Sequence, residues 1–178
     1  MTRVRTWSLV ALAASGLGLA ACSSSTASPS TTAAPSASSA PATIGTIADP
    51  SAAGTFGSEP TITVPPGAPP TQLESKDLIV GTGPAAKAGD QVTVQYVGVA
   101  YSTGKVFDAS WSRNQPFQFT LGMGQVIPGW DQGVAGMQVG GRRELIIPPS
   151  LAYGSSSPGP GIAANDTLIF IVDLVKIN

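Results

Sequence analysis

Through the second half of the chain, apolar and polar residues alternate in short runs, each closed by glycine or proline. Side chains on a strand point to alternate faces, so such runs predict strands. Asp77–Val80 is the first, ended by the turn Gly81-Thr82-Gly83-Pro84. Gly89-Asp90 then leads into Gln91–Ala100, with Val92, Val94 and Tyr96 on one face and Thr93 and Gln95 on the other. Ser102–Lys105 forms a hairpin loop into a short strand at Val106–Asp108. A polar loop through Asn114 precedes a strand at Pro116–Leu121. Arg142–Ile147 is closed by Pro148-Pro149, and a Gly/Pro/Ser loop runs from Leu151 to Gly161. The last strand, Thr167–Ile177, has Leu168, Phe170, Val172 and Leu174 on one face. Ile169, Ile171 and Val175 are apolar too, so this strand is expected at the centre of the sheet.

One stretch breaks the period. From Gly129 onward, Trp130, Val134 and Met137 recur at helical spacing and share one face. Pro128 suits the first turn of a helix, where its missing N–H costs no hydrogen bond. Gly133 and Gly136 each weaken a helix by roughly 1 kcal/mol, so packing must hold it. A single short helix among several strands implies a sheet wrapped around it. There is no internal repeat.

The first third of the chain reads differently. Arg3 and Arg5 precede the apolar run Trp7–Ala21, which is short for a membrane span and suits a secretory signal. Leu19-Ala20-Ala21-Cys22 resembles a bacterial lipobox, which makes residues 1–21 a lipoprotein signal peptide and Cys22 the lipidated first residue. An ordinary signal peptide that ends near a cysteine is the alternative. Two or three acyl chains would hold the protein stably on the outer face of the cytoplasmic membrane. Residues 22–70 are rich in Ser, Thr, Ala and Pro and are expected to form a flexible linker. Within them Thr61–Val64 alternates weakly, as a strand packed on the domain's edge would. The folded domain is expected over residues 71–178.

Composition narrows the chemistry. The 178 residues carry no His, one Cys and a formal net charge of −1. No basic stripe suggests a nucleic-acid partner. Without His, and with one thiol, a catalytic triad, a Cys–His pair, an intramolecular disulfide or a conventional zinc site is excluded. No metal or cofactor is expected.

The aromatic residues Tyr96, Phe107, Phe117, Trp130, Tyr153 and Phe170 come from separate strands, the helix and a loop. Spacing alone does not separate a binding pocket from an ordinary core. The motifs around them do. Tyr96-Val97-Gly98, Gly104–Asp108, Asn114–Phe119, Val126-Ile127-Pro128-Gly129-Trp130, Gly140-Gly141-Arg142, Ala152-Tyr153-Gly154 and Leu168-Ile169-Phe170 occur in this order. Over about Leu73–Asn178 the chain resembles the FKBP-type (immunophilin) peptidyl-prolyl cis–trans isomerases. That resemblance implies an α+β half-barrel, an antiparallel sheet of about five strands curled around one short helix. It implies a proline pocket walled by Tyr96, Phe107, Phe117, Val126, Ile127 and Phe170, floored by Trp130 and flanked by Ile162. The Ile127 N–H and the Tyr153 hydroxyl would donate to substrate carbonyls, and Asp108 would sit at the rim, bonded to Tyr96 and near Arg113. Pro158 stands where many relatives carry His, and Gly161 where an apolar residue is usual, which bears on substrate preference and macrolide affinity.

The expected function is isomerisation of X–Pro bonds in exported proteins by a monomer that uses an apolar pocket, with macrolides as inhibitors. A non-catalytic module that holds proline segments is the alternative. A small-molecule-binding surface lipoprotein would want a larger, two-lobed domain. Asp108 is open to a structural or an electrostatic role. Trp111, in the polar loop beside the pocket, is either a substrate-gripping rim residue or, the preferred reading, a local packing plug, and Arg142-Arg143 are expected to form a solvated strand end.

Overall fold

The computed structural model describes residues 54–178. The expected signal peptide, Cys22 and the expected linker as far as residue 53 lie outside the described residues. Six strands form one antiparallel sheet: β1 (Glu74–Ile79), β2 (Gln91–Ala100), β3 (Val106–Ala109), β4 (Phe117–Thr120), β5 (Arg142–Ile147) and β6 (Leu168–Ile177). The order is β1-β5-β6-β2-β3, with β4 also on β2. The count is six, against the five expected, because two short strands share one edge of β2. Its first half pairs with β4, Gln91 opposite Thr120 through Val94 opposite Phe117, and its second half with β3. The other edge of β2 pairs with β6 from Val92 to Ala100. The doubly apolar β6 is central, as its pattern requires.

The inner face carries the main core. Val92, Val94 and Tyr96 of β2, Leu145 and Ile147 of β5, and Leu168, Phe170, Val172 and Leu174 of β6 pack with Trp130, Val134 and Met137. Burying each such side chain stabilises the fold by about 1.5–3 kcal/mol. The helix α1 spans Pro128–Gly133, shorter than the periodicity through Met137 suggests. Gly136 ends the turn at φ +78°, and its N–H bonds to Ala86 rather than continuing the helix. Val134 and Met137 are nonetheless fully buried. The glycines that weaken α1 also seat it. A Cβ on Gly129 would lie 2.3 Å from Ile147 Cγ2, and one on Gly133 2.6 Å from Leu145 Cδ2. Helix and β5 therefore touch backbone to side chain.

The outer face corrects two expectations. Arg142 is not solvated; it is fully buried opposite Asp173 of β6 and bonds it bidentately, Nε to Oδ1 at 2.5 Å and Nη2 to Oδ2 at 2.7 Å. Arg143 is also held, by the Asp77 carboxylate and by the carbonyls of Gly133 and Ala135 at the end of α1. Residues 54–70, expected as linker, lie on this face. The Gly57 N–H donates to Asp173 Oδ2 at 2.9 Å, Arg142 Nη2 donates to the Ser58 carbonyl at 2.6 Å, and the Tyr101 hydroxyl reaches the Pro65 carbonyl at 3.1 Å. Thr61–Val64 is not a strand, but Ile62 and Val64 pack against Val97, Val99 and Ala109, together with Trp111. Trp111 thus packs as a plug, but on the outer face rather than beside the cavity.

Candidate active site

At the inner face a cavity of about 200 Å³ opens between the sheet and α1. Its walls come from distant parts of the chain. β2 supplies Tyr96; β3 supplies Phe107 and Asp108; β4 supplies Phe117; α1 supplies Trp130; and β6 supplies Phe170. The loop before α1 adds Val126 and Ile127, and the turn after β5 adds Tyr153. These residues lie between 96 and 170 in the chain, so only the folded sheet brings them together.

Gly98 explains how the aromatic wall fits. A Cβ there would lie 2.6 Å from Phe107 Cζ and 2.7 Å from Phe170 Cε1, so both rings lean over a bare stretch of β2 backbone. Phe107 and Phe170 meet edge to face, with centroids 5.5 Å apart. Trp130 is nine-tenths buried or more and meets Tyr96 at 5.1 Å and Phe170 at 5.3 Å, again edge to face. Such pairs add roughly 0.5–1.5 kcal/mol beyond the area they bury. The floor is therefore rigid, although Trp130 Nε1 is buried with no partner among the described residues.

The polar rim is a closed triangle. The Tyr96 hydroxyl donates to Asp108 Oδ2, Arg113 Nη1 donates to Asp108 Oδ1, and Arg113 Nη2 donates to the Tyr96 oxygen at 2.8 Å. Burial works to raise the Asp108 pKa, but the Tyr96 hydroxyl and Arg113 outweigh it and hold the carboxyl below its ordinary value. Burial, together with the hydrogen bond to Asp108, pushes the Tyr96 hydroxyl up to about 12. The rim thus keeps one protonation state through the neutral range. Ser110, fully buried, fixes the end of β3 against β2 through the Tyr96 N–H at 2.8 Å.

Two donor-bearing residues line the cavity outside the triangle. The Ile127 N–H makes no backbone hydrogen bond among the described residues, since Ile127 precedes the first helical residue and only its carbonyl is used. Tyr153 is 38% exposed, and its hydroxyl has no partner among the described residues. Ile162 is not in the lining; it is 9% exposed and packs in the main core. Gln125, by contrast, lines the cavity and was missed, because a glutamine between a glycine loop and Val126 carries no pattern of its own.

A family model described as FKBP-type peptidyl-prolyl cis-trans isomerase matches residues 83–175. An FK506-binding protein of Streptomyces anulatus is 60% identical over 120 residues, covering 67% of this chain and 97% of that protein. A probable FK506-binding protein of Corynebacterium glutamicum is 47% identical over 118 residues, covering 66% and 98%. The crystal structure of AtFKBP13 superposes with a TM-score of 0.55 at 38% identity, covering 60% of this chain and 93% of that one. FkpA from Escherichia coli gives 0.54 at 42% identity, covering 60% and 48%. Sequence motifs, sheet topology and the aromatic cavity agree, and the chain belongs to the FKBP-type peptidyl-prolyl cis–trans isomerases.

Proposed function

We propose that the cavity seats the prolyl ring of an exported protein and lowers the barrier to rotation about the preceding peptide bond. That barrier is roughly 18–20 kcal/mol, because rotation breaks amide resonance. Left alone, the bond isomerises over tens to hundreds of seconds. Rotation needs no proton transfer and no covalent intermediate, which fits a domain without His and without a thiol after Cys22. A twisted amide is less dipolar than a planar one. An apolar pocket walled by Phe107, Phe117 and Phe170 therefore favours it relative to the ground state.

In this reading each polar group has a positioning role. The Ile127 N–H and the Tyr153 hydroxyl hold substrate carbonyls on either side of the ring. Asp108, ionised and tied to Tyr96 and Arg113, fixes the rim and presents negative potential beside the rotating amide. About 5 kcal/mol of differential stabilisation would give on the order of four decades in rate. The two relatives named above are called FK506-binding proteins, and macrolides of that kind are proposed as ligands of the same cavity here.

The signal-like segment and Cys22 extend the proposal to place: a monomer tethered by lipid to the outer face of the cytoplasmic membrane, acting on proline segments of exported chains. The observation that carries the activity is the tryptophan-floored apolar cavity with two unspent donors at its mouth. The test is an isomerisation assay with a panel of X–Pro peptides. Catalysis that saturates with peptide is expected, whereas binding without acceleration would leave only a proline-binding module. Release of the Cys22→Ala protein from membranes would support the anchor, and unchanged retention would remove it.

A further inference from the structure

Gln125 lines the cavity beside Val126 and Ile127, and the orientation of its carboxamide is set by chemistry. The Thr120 N–H donates to its Oε1 at 2.8 Å. An N–H bonds only the oxygen of an amide, so Nε2 points elsewhere, and it has no acceptor among the described residues. Thr120 ends β4, and the next N–H, that of Leu121, turns inward to the Asp90 carbonyl at 2.9 Å. Successive N–H groups alternate in direction along a strand, so the Thr120 N–H faces the free edge of β4. Gln125 is therefore fastened to that edge next to the cavity. The loop that carries it is fastened too, since the Asp131 carboxylate accepts from the Gly122 N–H at 2.8 Å and the Gly124 N–H at 3.0 Å. The free NH₂ group is held in place before any ligand arrives, which reduces the ordering cost of using it.

We propose that Gln125 is a substrate-binding residue whose Nε2 donates to a backbone carbonyl of the peptide residues flanking the seated proline. The proposal rests on the isomerase reading of the cavity. The nearby carboxylates, which could accept from Nε2, are engaged elsewhere: Asp108 accepts from Tyr96 and Arg113, and Asp131 from the two glycine N–H groups. A neutral donor accepts flanking residues of either charge, so the native enzyme discriminates little by charge at this subsite.

The test uses the full-length chain and two variants. Gln125→Glu keeps an acceptor for the Thr120 N–H but replaces the donor with an anion, and Gln125→Leu removes both. KM and kcat are measured, and Kd by direct titration, for proline peptides flanked by Lys, Ala or Glu. Gln125→Glu is expected to melt like the native protein. It should raise KM and Kd roughly three- to tenfold for Ala- and Glu-flanked peptides, spare the Lys-flanked one, and leave kcat nearly unchanged. Unchanged KM and Kd for every peptide in Gln125→Glu, with only Gln125→Leu impaired, would overturn the proposal and leave Gln125 as a cap for β4. If the native chain binds peptides with the expected dependence on Gln125 yet does not accelerate isomerisation, the contact stands and the isomerase reading falls.

Discussion

The inner face of the sheet buries aromatic and aliphatic side chains against α1, whereas the outer face buries Arg142, Glu144 and Asp173. On the inner face the groups are interchangeable in kind, each contributing area and shape, and the cavity is a place where that packing is left open. On the outer face the groups are not interchangeable. The Arg142–Asp173 pair is fully buried, and Gly57 and Ser58 add backbone hydrogen bonds to it. A buried charge without its partner costs far more than a missing methyl group. The inner face should therefore control activity, and the outer face stability.

The largest expected effect follows from breaking the outer pair. Asp173→Ala removes the carboxylate that neutralises the buried Arg142 and should destabilise the domain by about 3–5 kcal/mol, read as a shift in a denaturant melt. At temperatures where the variant stays folded, its isomerase activity should be nearly native. A chain begun at Thr71 loses the Gly57 and Ser58 contacts and should melt earlier than one begun at Gly54.

On the inner face the balance reverses. Phe107 is half buried in the cavity wall, so Phe107→Ala should cost well under the roughly 3–5 kcal/mol of a fully buried phenylalanine. Its kcat/KM should fall by about two decades, equivalent to about 2.7 kcal/mol. Unfolding of this variant, or an unchanged rate, would place Phe107 in the core rather than the site. Trp130→Leu should weaken both properties, because Trp130 is at once the cavity floor and the anchor of α1.

Much of the inner face was legible in the sequence, because alternation and helical spacing are local signals. The limits of β2 and β5 are those their patterns predict, and β6 begins one residue later than expected. The helix is shorter than its spacing implies, since periodicity continues through Val134 and Met137 after Gly133 and Gly136 have ended it. The outer face was not legible. Arg142 looked like a charged strand end because its partner lies 31 residues away, joined only by the β5–β6 register. One signal was available: Asp173 follows Ile169 and Ile171 on the same face of a central strand, a position that demands a buried cation. Ile162 was expected to flank the pocket from its place in the family pattern; it packs in the same cluster as Tyr96, Trp130 and Phe170 without lining the cavity itself.

A smaller effect concerns Glu144. Burial raises its pKa from 4.5 to about 7, the neighbouring Glu74 adding to this and Lys76 opposing it, and its Oε2 has no partner among the described residues. A carboxyl with a raised folded-state pKa contributes fully below its unfolded value and loses that contribution as pH rises through the folded one. Stability should therefore decline between about pH 4.5 and 7. Glu144→Gln should flatten that decline and gain on the order of 1–2 kcal/mol at pH 8. Parallel pH–stability curves for the two proteins would contradict the burial argument.

Catalysis by an apolar cavity without proton transfer is tested most directly by the pH dependence of kcat/KM on one X–Pro peptide. Asp108 is held below its ordinary carboxylate pKa by Tyr96 and Arg113 against the opposing effect of burial, and burial pushes Tyr96 up to about 12. The profile should therefore be flat, within about a factor of two, from about pH 6 to 9. A bell-shaped profile centred near neutrality would mean that a titrating acid or base takes part in the reaction, and would contradict the mechanism.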